Sequence, residues 1–112
     1  MKVLIVEPGY FRTRVFGNVN HVPPRTEGYE QFNAATRKVE AGIVGNEPGD
    51  PDKAVAVMID LVKGTGVAAG KQVPLRVPLG SDGWSRIKAK CENTLKICDD
   101  WEDAAKSTDI SS

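Results

Sequence analysis

Apolar and polar residues follow one another in a pattern that predicts two β-strands. The segment 2–7 contains Val-Leu-Ile-Val without interruption, which is typical of a strand buried on both faces, as in a parallel sheet. Pro8 and Gly9 end this strand, because proline has no N–H for a ladder and glycine permits a sharp turn. A second, shorter strand is predicted at 72–79, where Pro74 favours an edge position.

Three helices are predicted between and after these strands. Apolar residues at steps of three and four predict a helix over 28–41, with Gly42 as its stop. Asp50 followed by Pro51 predicts the start of a second helix, because aspartate caps free N–H groups and proline fits the first helical position. The third helix is expected to start with Ser81 as its cap and Asp82 in its first turn, and its apolar stripe needs a surface to pack against.

The order of these elements predicts the fold class. A long helical connection between two strands favours parallel pairing through a right-handed crossover. We therefore expect an α/β protein, namely an incomplete Rossmann-like, doubly wound fragment with two parallel strands and about three helices. The segment 2–7 has the composition of an interior strand, but the chain supplies only one neighbour for it. Part of the fold is therefore expected to be missing.

Length and charge narrow the classes of function. A chain of 112 residues is enough for one small domain. Its 15 basic and 15 acidic residues cancel, so nothing favours a nucleic acid as partner. The chain has no apolar run near the roughly 18–20 residues of a membrane helix and no signal-peptide core, so we expect a cytoplasmic protein without a membrane partner.

Several features that could carry chemistry lack the context for it. The glycine-rich segment 64–70 follows a helix and leads into a strand, whereas a dinucleotide loop follows a strand and opens a helix. Tyr10 and Arg14 stand four apart, but arginine cannot replace a proton-relaying lysine.

Cys91 and Cys98 would lie about 10 Å apart on one helix face, beyond disulfide reach, and are expected to be small core residues. No metal site is predicted, since the chain has one histidine.

The segment around the first predicted turn is the part of the sequence that points to a particular kind of site. The strand 2–7 runs into Pro8-Gly9, and Thr13 follows four residues after the glycine. Ligands of open α/β sheets bind beyond the carboxyl ends of the strands, where this turn is expected to lie. A simple strand-ending turn without a ligand is the alternative interpretation.

This segment resembles the Pro-Gly segment after the sixth strand of the short-chain dehydrogenases/reductases. The resemblance implies that the turn lies beside the nicotinamide ring of NADP or NAD. It implies that main-chain groups near Phe11 meet the carboxamide and that the Thr13 hydroxyl contacts the amide or the phosphates. The predicted cofactor-binding residues are therefore Pro8, Gly9, Phe11 and Thr13.

The resemblance extends over nearly the whole chain. Gly-Asp-Pro at 49–51 before a helix, and the segment 77–82 after a short strand, are similar to the end of that family's catalytic domain. The chain 1–112 is thus expected to be a single partial domain, the carboxy-terminal part of a dinucleotide-binding oxidoreductase fold. Its substrate lid is expected at about 11–42, and its last strand and helix at about 72–106.

The family's glycine-rich loop, catalytic serine and Tyr-x-x-x-Lys pair do not occur in the sequence. No catalytic residue is therefore predicted. We expect a truncated short-chain dehydrogenase/reductase-like protein that is inactive alone. Its parent activity would be NAD(P)(H)-dependent oxidation or reduction of a small alcohol or carbonyl compound. The alternatives are a non-catalytic protein that pairs with itself or with a related chain through its free strand edge, and a fragment of a split gene.

Overall fold

The two predicted strands form a parallel sheet in a computed structural model, which describes residues 2–110. The strands are β1 (Ile5–Pro8) and β2 (Arg76–Leu79). The helices are α1 (Glu30–Ile43), α2 (Pro51–Lys63), α3 (Ser81–Asp100) and α4 (Glu102–Lys106), with short 3-10 turns at Phe16–Asn18 and Gly66–Ala68. The predicted fold class is confirmed, and the fourth helix arises because the predicted last helix breaks at Trp101. The predicted domain also includes residues 1, 111 and 112, which lie outside the described part.

The sheet pairs two segments that lie about 70 residues apart in the sequence. Ile5 lies opposite Arg76 and Pro8 opposite Leu79. The Ile5 N–H donates to the Leu75 carbonyl at 2.8 Å. Both strands are shorter than predicted, since only these residues pair across the sheet. The carboxyl ends of β1 and β2 therefore lie side by side.

The starts of α2 and α3 show where local sequence signals predict a helix cap correctly and where they do not. Asp50 caps α2 as predicted, because its carboxylate accepts the N–H groups of Asp52 at 2.9 Å and Lys53 at 3.3 Å. The Ser81 cap is wrong: Gly80 occupies the cap position with φ of 90°, and Ser81 is the first helical residue. β2 passes into α3 through this one residue, and the left-handed backbone there favours glycine.

The end of α1 also differs from the prediction. Gly42 does not stop the helix, which continues to Ile43, and the chain turns at Gly45 with φ of 80°. Glycine inside a helix costs only about 1 kcal/mol relative to alanine, which hydrogen bonding of the surrounding turns can offset. A left-handed residue three positions later ends α1 instead.

The described residues bury little apolar surface. Their accessible area is 9616 Å², whereas a compact chain of this mass would expose about 6,000 Å². The radius of gyration is 20.2 Å, against about 13 Å for a compact domain of this length. Within residues 2–110, the buried apolar residues are Ala54 and Ala68. The described residues thus leave most of their apolar side chains uncovered and do not form a packed core.

Helix α3 shows this incompleteness directly. Its 20 residues extend about 30 Å, while the four residues of β2, against which it lies, extend about 13 Å. The expectation that Cys91 and Cys98 are core residues is wrong, since both thiols are exposed on the part of α3 beyond the sheet. Among the described helices, none is both long and apolar enough to cross a bilayer.

Candidate functional site

The candidate site is the turn at residues 8–13, which we call the Pro-Gly turn. It leaves β1 at the edge where the carboxyl ends of both strands meet, and the Gly9 N–H donates to the Leu79 carbonyl at 2.8 Å. This is the position at which open α/β sheets bind their ligands. Two separate parts of the chain hold the turn in place.

The first anchor is the Asp82 carboxylate at the start of α3. Its Oδ2 accepts the Tyr10 N–H at 2.8 Å, and this hydrogen bond lowers the pKa of Asp82 from its usual value, although desolvation acts in the opposite sense. Gly9 makes this approach possible, because a Cβ there would lie 2.5 Å from Asp82 Cγ. Asp82 therefore ties the turn to the strand end of β2.

The second anchor is the segment 47–49 before α2. The Gly49 N–H donates to the Tyr10 carbonyl at 3.0 Å, and the Arg12 N–H donates to the Gly49 carbonyl at 2.8 Å. These two hydrogen bonds form a short parallel bridge between Phe11 and Gly49. A Cβ on Gly49 would lie 2.7 Å from the Tyr10 carbonyl oxygen, so glycine is needed for this close contact.

A buried carboxylate accompanies the second anchor. The Glu47 side chain is only 3% exposed, and Arg12 Nε lies 3.9 Å from Glu47 Oε2. The Arg12 guanidinium also donates to the Glu47 carbonyl at 3.3 Å. A buried carboxylate is costly without a compensating cation, and the Arg12 guanidinium provides one for Glu47.

The two anchors leave specific groups of the turn open. The bridge uses the Tyr10 carbonyl and the Arg12 N–H. No described residue is hydrogen-bonded to the N–H or C=O of Phe11. Thr13 is exposed, and its hydroxyl oxygen accepts the Val15 N–H at 3.4 Å while its own proton stays free for donation. One donor and one acceptor on Phe11, with a hydroxyl nearby, are thus available to a ligand.

A shallow cavity of about 330 Å³ lies on the α3 side of the turn. Its polar lining consists of Glu7, Asp82 and Arg86, together with Tyr10. The Arg86 guanidinium lies 5.3 Å from the centre of the Tyr10 ring, which is within cation–π range. Arg76 forms an ion pair with Glu7 across the strands and lowers the pKa of that carboxyl.

The structure thus brings Pro8, Gly9 and Phe11 to the sheet edge and places Thr13 just beyond the second anchor. Their cofactor contacts remain a prediction. Sequence reasoning missed Asp82, which was assigned only to the first turn of a helix. The nearest local signal was Gly-Ser-Asp directly after a strand.

The lowered pKa of Asp82 predicts how the first anchor responds to pH. A carboxyl whose pKa is depressed by folding contributes stability above its unfolded-state pKa and loses it as pH falls through the folded-state pKa. We expect the Tyr10 amide resonance to shift with a midpoint below the ordinary aspartate value of 3.8. A ¹H–¹⁵N correlation titration measures this. Asp82→Asn retains an acceptor oxygen but cannot titrate, so its Tyr10 resonance should stay flat, whereas a midpoint above 3.8 in the unchanged chain would contradict the anchor.

A solved structure of a short-chain dehydrogenase from Streptomyces avermitilis is similar to this chain, with 31% sequence identity and a TM-score of 0.70. The match covers 97% of this chain and 37% of the dehydrogenase, so the chain spans little more than a third of that protein's length. No protein-family model matches the chain, and no curated protein matches it. The predicted resemblance is confirmed at the level of fold: the two parallel strands and their helices form an incomplete Rossmann-like unit of the short-chain dehydrogenase type.

Proposed function

We propose that this chain supplies the nicotinamide-side turn of an NAD(P)(H)-dependent oxidoreductase that acts on an alcohol or carbonyl compound. One observation carries the proposal: the Pro-Gly turn is fixed at the carboxyl end of β1 while the Phe11 N–H and C=O stay open. An amide ligand needs one donor and one acceptor side by side. The open pair on Phe11 fits the carboxamide of a nicotinamide ring.

Within this proposal, each residue of the turn has a defined task. The Phe11 N–H donates to the carboxamide oxygen, and the Phe11 C=O accepts from its NH₂ group. The Thr13 hydroxyl donates to the amide or to a phosphate. When bound, the cofactor supplies the hydride chemistry. Asp82 and Gly49 are positioning residues, since they hold the turn without reaching the ligand.

The same proposal assigns the catalytic groups to residues outside these 112. Reduction of a carbonyl needs a held cofactor and a proton donor at the carbonyl oxygen. Tyr10 does not serve as that donor, because its ring lies under Arg86 and no lysine stands four residues after it. The purified 112-residue chain is therefore expected to give no turnover of NADH or NADPH.

Cofactor affinity tests the role of Thr13. In a chimera, residues 2–110 replace the structurally matched third of the Streptomyces dehydrogenase, and Thr13→Val is introduced. Loss of one hydrogen bond of about 0.5–1.5 kcal/mol should raise the Kd for NADH or NADPH roughly 2- to 10-fold, which fluorescence titration measures.

Thr36→Val is the matched control, because the Thr36 hydroxyl donates to the Phe32 carbonyl within α1, away from the turn. Its Kd should equal that of the unmodified chimera. The proposal would be rejected if both variants bound cofactor equally well, or if the chimera folded but bound neither NADH nor NADPH.

A second function is favoured by the large accessible surface of the chain. The accessible area of 9616 Å² is far above the compact value of about 6,000 Å². We propose as the alternative that the chain acts without catalysis, by association through that surface.

A further inference from the structure

Residues 16–44, which we call the lid segment, form their hydrogen bonds within their own part of the chain. The segment includes most of the predicted lid, from the first 3-10 turn to the end of α1. Among the described residues, its hydrogen bonds all have partners within 15–46, and no ion pair leaves it. Local hydrogen bonds fix the shape of a segment but not its place on the protein. Packing of side chains therefore has to supply that place.

Phe16 is the residue through which the lid segment packs against the Pro-Gly turn. Its ring centre lies 6.1 Å from that of Tyr10, and the two rings are tilted by 42°. This distance is typical of favourable aromatic pairs. Between residues 12 and 32, Phe16 is the one residue that is partly buried, and the others are exposed. The aromatic contact therefore marks where the segment meets the turn.

Tyr10 offers Phe16 a fixed surface. Its N–H donates to Asp82 and its C=O accepts the Gly49 N–H, so both polar groups of its backbone are held by distant parts of the chain. Its ring is held as well, because the Arg86 guanidinium lies 5.3 Å from the ring centre. Since two hydrogen bonds and a cation–π contact restrain Tyr10, Phe16 packs on a group that is already in place.

We propose that Tyr10 is a positioning residue that holds the lid segment at the carboxyl end of β1. A cavity of about 390 Å³ lies between the first 3-10 turn and α1, and its walls include Phe16, Arg37 and Val44. Packing of Phe16 on Tyr10 therefore places this cavity beside the Pro-Gly turn. A substrate role for the cavity rests on the proposed function, whereas the positioning of the lid segment by Tyr10 does not.

This arrangement implies that a change at Asp82 reaches the lid segment. Asp82 is not hydrogen-bonded to any of the residues 16–44, but it holds the Tyr10 N–H. Once that hydrogen bond is lost, Tyr10 is free to move and Phe16 loses its fixed partner. The Asn18 amide, which donates to the Val15 carbonyl at 3.1 Å in the 3-10 turn, should then exchange faster because the turn opens more often.

Hydrogen exchange of the Asn18 amide in the 112-residue chain tests the proposal. Tyr10→Leu and Phe16→Leu each remove one ring of the pair and should speed this exchange roughly 2- to 10-fold. Tyr10→Phe keeps the ring and should exchange as the unmodified chain does, whereas Asp82→Ala should speed exchange without altering the lid segment. The ratio of the Asn18 rate to that of Leu61 in α2 separates this local effect from a general loss of stability.

Phe32→Leu is the matched control, because it makes the same change within the lid segment at a side chain that is 69% exposed. Its Asn18 rate should equal that of the unmodified chain. Tyr10→Leu and Phe16→Leu combined should have no larger effect than either alone, since both remove one contact. If Tyr10→Leu does not fold, the comparison of Phe16→Leu with Phe32→Leu decides.

Four results would overturn the proposal. These are an Asn18 amide that exchanges in the unmodified chain as in an unfolded one, equal effects of Phe16→Leu and Phe32→Leu, a Tyr10→Phe variant that behaves as Tyr10→Leu, and strictly additive effects of the two leucine changes. No cofactor enters these measurements, so their outcome is independent of the titration that tests Thr13.

Discussion

Gly49→Ala is expected to separate the Pro-Gly turn from the segment before α2 and to lower the free energy of unfolding by about 1–3 kcal/mol. The added Cβ would lie 2.7 Å from both the Tyr10 carbonyl oxygen and Phe11 Cγ. Neither backbone can retreat freely, because Gly49 is hydrogen-bonded to Tyr10 on one side and to Arg12 on the other. Urea unfolding followed by circular dichroism measures the loss.

Gly42→Ala is the control for this change. Nothing lies within 4 Å of a Cβ at Gly42, which is inside α1, so alanine there should stabilise the chain by about 1 kcal/mol. Equal behaviour of the two alanine variants would show that the close contact at Gly49 does not exist in solution.

Gly9→Ala is expected to break the other anchor, again at a cost of about 1–3 kcal/mol. Its Cβ would lie 2.5 Å from Asp82 Cγ, so the carboxylate must leave the Tyr10 N–H. Hydrogen exchange of the Tyr10 amide should become faster, since the amide loses its acceptor. Amide exchange and urea unfolding together measure both consequences.

A double-mutant cycle separates this clash from a general backbone effect. If Asp82 is the obstacle, Gly9→Ala should cost much less free energy in a chain that already carries Asp82→Ala. Gly17→Ala is the neutral comparison, because a Cβ there meets nothing within 4 Å. Strictly additive costs of Gly9→Ala and Asp82→Ala would argue against the anchor.

The anchors also show which parts of the fold local sequence could predict. The start of α2 depends on Asp50 and Pro51, whose chemistry acts within three residues, and its prediction is confirmed. The hydrogen bond between Tyr10 and Asp82 joins residues 72 positions apart. No periodicity or capping rule reports such a contact, so Asp82 was expected only to favour the start of a helix.

Amphipathic patterns predicted that a helix packs against an apolar surface, but not where that surface comes from. The stripe on α3 showed that this helix needs an apolar surface, but a stripe does not say whether the same chain supplies it. Cys91 and Cys98 lie on that stripe and are exposed. The prediction of core cysteines was wrong because it assumed a complete core on the basis of one face.

The parallel pairing of β1 with β2 has a consequence for how the chain is made. The ribosome releases β1 before its partner strand, which begins at Arg76, about 70 residues later. At roughly 5–20 residues per second, that interval lasts about 4–14 s, which far exceeds the time that local helices need to form. Until then β1 has no β2 to pair with, so its apolar side chains stay accessible to other chains and to chaperones during synthesis.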